Sequence, residues 1–86
     1  MRVHIASPLF SYTSGRNQVD ARGSTLGAVL EDLETRFPGI RFRVIDEQGR
    51  VRPHILLYVG GRATRDLDAT IAPDDEVHIV AALSGG

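Results

Sequence analysis

The chain has 86 residues, a formal net charge of −1 at pH 7, 42% apolar residues and 24% charged residues. A chain of this size is one globular domain that buries roughly 60–65% of its unfolded surface and folds with little margin. The balance argues against disorder and removes the basic footprint of a nucleic-acid binder. The longest apolar runs, among them Ile55–Val59, fall far short of the ~20 residues of a membrane helix, so no membrane partner is expected. Met1-Arg2-Val3-His4-Ile5 lacks the extended apolar core of a signal peptide, and the expected location is the cytoplasm.

There is no cysteine, which excludes disulfides, thiolate metal sites and a Cys nucleophile. All 10 cationic residues are Arg and Lys is missing. That excludes a Schiff-base lysine, a P-loop lysine and an internal lysine acceptor for conjugation. Genomic base composition is the simplest cause of the bias, and the chemical exclusions hold regardless.

Arg2-Val3-His4-Ile5-Ala6 alternates, with Val3 and Ile5 on one face, and reads as a strand. Pro8 cannot donate to a ladder, which predicts a bulge or an edge near the strand's end. Tyr12 to Asn17 is turn chemistry, and Gln18 to Ala21 gives a short return strand. Ser24 or Thr25 then caps a helix through its hydroxyl. Leu26, Val29, Leu30, Leu33 and Phe37 form one apolar stripe on that helix, with Glu31, Asp32, Glu34 and Arg36 facing water. Pro38-Gly39 ends it.

Ile40 to Val44 alternates and on period alone reads as a strand. Asp46 to Arg50 is a turn. Val51 to Val59 is the strongest strand, with Pro53 near its start. Gly60-Gly61 supplies a tight hairpin, Arg62 to Thr64 returns, and Asp66 to Asp75 connects, with a short turn around Ile71. Glu76 to Ala82 is the last strand. A single amphipathic helix must cover one face of the sheet, which makes an α+β domain with a mixed sheet of four to five strands. This element order is the β-grasp pattern, expected over residues 1–82 with residues 83–86 as a flexible tail.

Few side chains offer chemistry. His4, His54 and His78 have no helical metal spacing and no clustered carboxylate, and read as solvated or interfacial strand histidines. Asp74-Asp75-Glu76 is an acidic run without the further oxygen ligands of a calcium loop. Ser7, Ser11, Ser14, Ser24 and Ser84 occur without a nucleophile elbow. No catalytic residue, metal or bound cofactor is expected.

The end of the sequence is different. With Gly at about 7% of residues, a Gly-Gly end arises by chance in roughly one chain in 200. Two residues without Cβ make a slim arm that can thread a narrow channel in another protein. The group such an arm delivers is the Gly86 carboxylate, inert until ATP converts it to an acyl-adenylate. A frayed terminus is the bland alternative.

The whole chain resembles the ubiquitin-like sulfur carriers of the ThiS/MoaD-like family. The match rests on Gly23 to Leu30 at the helix start, Pro38-Gly39-Ile40 at its end, Asp46-Glu47-Gln48-Gly49-Arg50-Val51-Arg52-Pro53, Tyr58-Val59-Gly60-Gly61, Asp74-Asp75-Glu76-Val77 and Gly85-Gly86. The Asp-Glu-x-Gly-Arg insert and the length are similar to the stand-alone CysO-like carriers. Two departures stand out. The family has Asn-Gly where this chain has Gly60-Gly61, which should alter only the hairpin. The resemblance also makes Ile40 to Val44 a loop or helical turn, and that reading displaces the strand.

The resemblance implies a protein co-substrate and not an enzyme. An E1-like adenylyltransferase would adenylate Gly86 at the expense of ATP, and a sulfurtransferase or other sulfur donor would install a thiocarboxylate. An acceptor enzyme, such as a cysteine-synthase-like or a molybdopterin- or thiamine-type synthase, would take the sulfur. Leu83, Ser84, Gly85 and Gly86 are the expected channel segment. Strand parity adds a docking patch of Leu56, Tyr58, His78 and Val80, with His4 beside it. Two alternatives share the sequence: a modifier conjugated through Gly86, and an interaction module whose Gly-Gly is incidental.

Overall fold

The computed structural model describes residues 1–82. Its five strands are β1 (Arg2–Ile5), β2 (Gln18–Asp20), β3 (Ile55–Val59), β4 (Arg62–Thr64) and β5 (Val77–Ala81), in the sheet order β2-β1-β5-β3-β4. The central pair, β1 and β5, runs parallel, and the other pairs are antiparallel. The main helix α1 (Leu26–Arg36) packs on one face and is followed by a short helix α2 (Ile40–Val44). This is the ubiquitin-like β-grasp expected from the element order.

Thr25, and not Ser24, caps α1: its extended backbone lets Oγ1 accept the Ala28 amide at 3.2 Å. Leu26, Val29, Leu30 and Leu33 are buried against the sheet, while Phe37 closes the stripe half-buried at the helix end. Each such apolar side chain contributes about 1.5–3 kcal/mol on leaving water. They meet Val3, Ile5, Ile55, Leu57, Val59, Val77 and Ile79, the inward residues of the three central strands.

Ile40 to Val44 is helical, which corrects the period-two reading and agrees with the family resemblance. Five residues that alternate also place i and i+4 on one helical face. Ile40 and Val44 are buried at those positions, whereas Phe42, which a strand would bury beside them, is 54% exposed. Gly39, at φ 98°, turns the chain from α1 into α2 in a conformation that suits glycine. Glu34, expected to face water only, secures the corner: its carboxylate accepts the Gly39 and Arg41 amides at 2.8 and 2.9 Å.

Other expectations shift by local chemistry. Pro8 starts a 3₁₀ helix over Ser7–Tyr12 and makes no bulge; a missing N–H costs nothing in a first helical turn. The strong strand begins at Ile55 and not at Val51, because Pro53 interrupts the ladder. Val51 instead bridges Ile45, and His54 stands in the turn before β3 rather than on a strand. The Arg65 guanidinium ties this approach by donating to the carbonyls of Val51 and Ile55. Gly60 and Gly61 both take positive φ, 56° and 83°, in the tight β3–β4 hairpin.

Candidate docking face and chain end

The face of the sheet opposite α1 is read directly from the register. Tyr58 pairs with His78 and His78 with His4, so these three side chains cross β3, β5 and β1 in one row. Leu56 pairs with Val80 in the next row toward the chain end. The predicted patch of Leu56, Tyr58, His78 and Val80 is therefore contiguous across β3 and β5. Leu56 is 40% exposed and Val80 37%, among the few large apolar side chains the structure leaves in water. Tyr58 and His78 are half-buried beside them.

His4 lies next to the patch. Its ring stacks on that of His78, with centroids 4.1 Å apart and planes 8° from parallel. Its Nε2 lies 2.5 Å from Glu76 Oε1. That hydrogen bond is the main reason the Glu76 carboxyl is held below the usual carboxylate range, and desolvation opposes it. The acidic run is thus divided by local structure. Glu76 holds His4, while Asp75 accepts the Ala72 amide at 2.9 Å and closes the turn before β5.

The chain leaves the sheet beside this face. Ala82, the last described residue, donates its amide to the His54 carbonyl at 2.7 Å, which pins the end of β5 to the start of β3. The predicted channel residues Leu83, Ser84, Gly85 and Gly86 lie outside the described residues. A shallow groove flanks Ala82, lined by Pro8, Leu9, Tyr12, Arg43, His54 and Ala81 among others. Sequence reasoning missed this groove, because it is assembled from the 3₁₀ helix, α2 and the two strand ends. Ser11 and His54 both line it. Among the described residues no group of three or more His, Cys, Asp or Glu is placed to hold a metal ion.

An apolar row in water, rimmed by histidine and tyrosine and placed beside the chain end, suits reversible protein contact. The chain belongs to the ThiS family, whose model matches residues 3–86. It is 37% identical over 89 aligned residues to the sulfur carrier protein CysO of Mycobacterium tuberculosis, covering 98% of this chain and 96% of that protein. The crystal structure of that CysO superposes with a TM-score of 0.89 at 36% identity, covering 95% of this chain and 98% of the other. A chain from the Amycolatopsis orientalis BexX/CysO complex superposes with a TM-score of 0.91 at 31% identity, covering 99% and 98%. The small archaeal modifier protein 3 of Haloferax volcanii is 38% identical over 66 residues, 73% of this chain and 71% of that protein. No helix among the described residues is long and apolar enough to cross a membrane.

Proposed function

We propose that the protein is a sulfur carrier: a co-substrate whose Gly86 carboxylate is adenylated by an E1-like enzyme using ATP and then converted to a thiocarboxylate. The sulfur passes to an acceptor enzyme in the biosynthesis of cysteine or of a specialised sulfur-containing metabolite, with thiamine and molybdopterin synthesis as the other destinations of this design. The protein binds no cofactor of its own and acts in the cytoplasm. The observation that carries this reading is the exposed Leu56–Val80 row beside Ala82, the residue from which the Gly-Gly segment continues. It supports a partner that grips the sheet face while taking the chain end into its active site.

The division of labour follows from chemistry. The carrier supplies a carboxylate and a grip; ATP supplies the leaving group, since attack of the carboxylate on the α-phosphate releases pyrophosphate and leaves an acyl-adenylate. A sulfur nucleophile then displaces AMP. None of these steps needs a side chain of this protein, which agrees with the absence of Cys and Lys.

The test is ATP–pyrophosphate exchange catalysed by the E1-like enzyme of the same host. Exchange should require this protein and should disappear when Gly86 is removed. Exchange that persists without Gly86 contradicts the reading. Likeness to a small archaeal modifier protein favours one second reading, in which the same adenylate is passed to lysines of target proteins.

A further inference from the structure

A second surface adjoins the chain end, on the side away from the sheet face. Phe42 on α2 is 54% exposed, the most exposed large apolar side chain among the described residues. The Arg52 guanidinium lies 4.6 Å from the Phe42 ring centroid, and its Nε donates to the Phe42 carbonyl at 2.7 Å. Arg43 is held in the same way, with Nε donating to the Tyr12 hydroxyl at 2.6 Å. Each Arg is therefore held through its Nε, which leaves the terminal nitrogens as further donors. Among the described residues neither guanidinium makes an ion pair.

The local charge balance is one-sided. Between residues 40 and 54 stand Arg41, Arg43, Arg50 and Arg52, against Asp46 and Glu47. Asp46 is held within its own turn, where its carboxylate accepts the Gln48 and Arg50 amides at 2.9 and 3.0 Å and keeps its charge near Arg50 and Arg52. Glu34 is likewise committed to backbone amides. Four Arg against two carboxylates leave this shoulder with an excess of positive charge beside its aromatic side chains, on a chain whose net charge is −1.

Position gives the shoulder its meaning. Tyr12, Arg43 and His54 line the groove that also contains Ala81 and Ala82. An enzyme that admits the residues after Ala82 into a narrow channel must close its rim around that groove.

We propose that Arg43 with Tyr12, and Arg52 with Phe42, form a second docking site for carboxylate side chains on the channel rim of the activating enzyme. This deepens the sulfur-carrier reading and rests on it for the identity of the partner. The sheet face supplies apolar contact, and the shoulder supplies charge-steered alignment of the chain end with the channel. Rim charges of this kind act on encounter and on salt dependence more than on chemistry.

The experiment measures the KM and kcat of the E1-like enzyme for this protein in pyrophosphate exchange, across a series of salt concentrations. The double variant Arg43→Glu, Arg52→Glu should raise KM by about tenfold at low salt, leave kcat unchanged and flatten the salt dependence. The variant Arg43→Lys, Arg52→Lys keeps the charge that steers encounter, though not the stacking on Tyr12 and Phe42, and should stay within about threefold of the parent in KM. Unchanged KM in the glutamate variant, or an effect confined to kcat, overturns the proposal. If the parent protein supports no exchange, the carrier reading fails, and the shoulder is judged separately. Titration of the ¹⁵N-labelled chain with hexaglutamate should then shift the amides of Phe42, Arg43, Arg52 and His54. Shifts elsewhere, no shifts, or tighter binding to a DNA duplex than to the peptide overturn a site for acidic protein surfaces.

Discussion

His4 of β1 and His78 of β5 are register partners in the parallel pair at the centre of the sheet, and their rings stack 4.1 Å apart. The stack lies on the outer face, and Glu76 anchors it from the residue before β5. The pair lies on the same face as Leu56 and Val80, one row away along β5.

The Glu76 anchor has a pH signature. A carboxyl whose pKa is lowered by folding contributes stability above its unfolded pKa and loses it as the pH falls through its folded value. Glu76 is lowered chiefly by the His4 hydrogen bond. Thermal melts should therefore show the parent above Glu76→Gln at pH 6, with the gap narrowing as the pH drops through the carboxylate range. A gap that widens on acidification contradicts the assignment.

The Asp46 turn gives an independent acid-sensitive element. Backbone hydrogen bonds, that of Arg50 first, lower the Asp46 pKa. Asp46→Ala should reduce the melting temperature at neutral pH, and the deficit should shrink in acid as the parent's carboxylate is protonated. Equal deficits at both ends of the pH range count against it.

The apolar row should matter for binding and not for folding. Leu56→Asp and Val80→Asp place a charge on positions 40% and 37% exposed, so the melting temperature should hardly move. Adenylation should weaken through KM. Normal adenylation of both variants would place the partner elsewhere.

Leu30 and Leu33 sit at 1% and 0% exposure, between helix and sheet. Leu30→Ala or Leu33→Ala should cost about 2–5 kcal/mol in urea unfolding, much of the stability of so small a domain. Losses below about 1 kcal/mol contradict the packing.

Much of this was legible because period and parity are strong signals in this chain. The helix stripe, the inward strand residues and the outward patch follow from spacings of 3.6 and 2, and the register places them together. What period alone misread had local causes. Ile40 to Val44 satisfies both periods, and only the burial of Ile40 and Val44 with Phe42 in water separates them. Leu9, Ile45 and Ile71 are core residues that belong to no long regular element, so no pattern marks them. The stacked histidines required the β1–β5 register, a pairing of residues more than seventy positions apart. The groove at the chain end is a tertiary assembly from several elements with no signature in any one of them.

The most direct test is the intact mass of this protein purified from its native host. The sulfur-carrier account predicts a fraction heavier than the unmodified chain by the difference between sulfur and oxygen, localised to Gly86 and removed by the Gly86 deletion. Protein found only as the free carboxylate and as covalent conjugates to other proteins, with no thiocarboxylate when the host is synthesising sulfur metabolites, would contradict it.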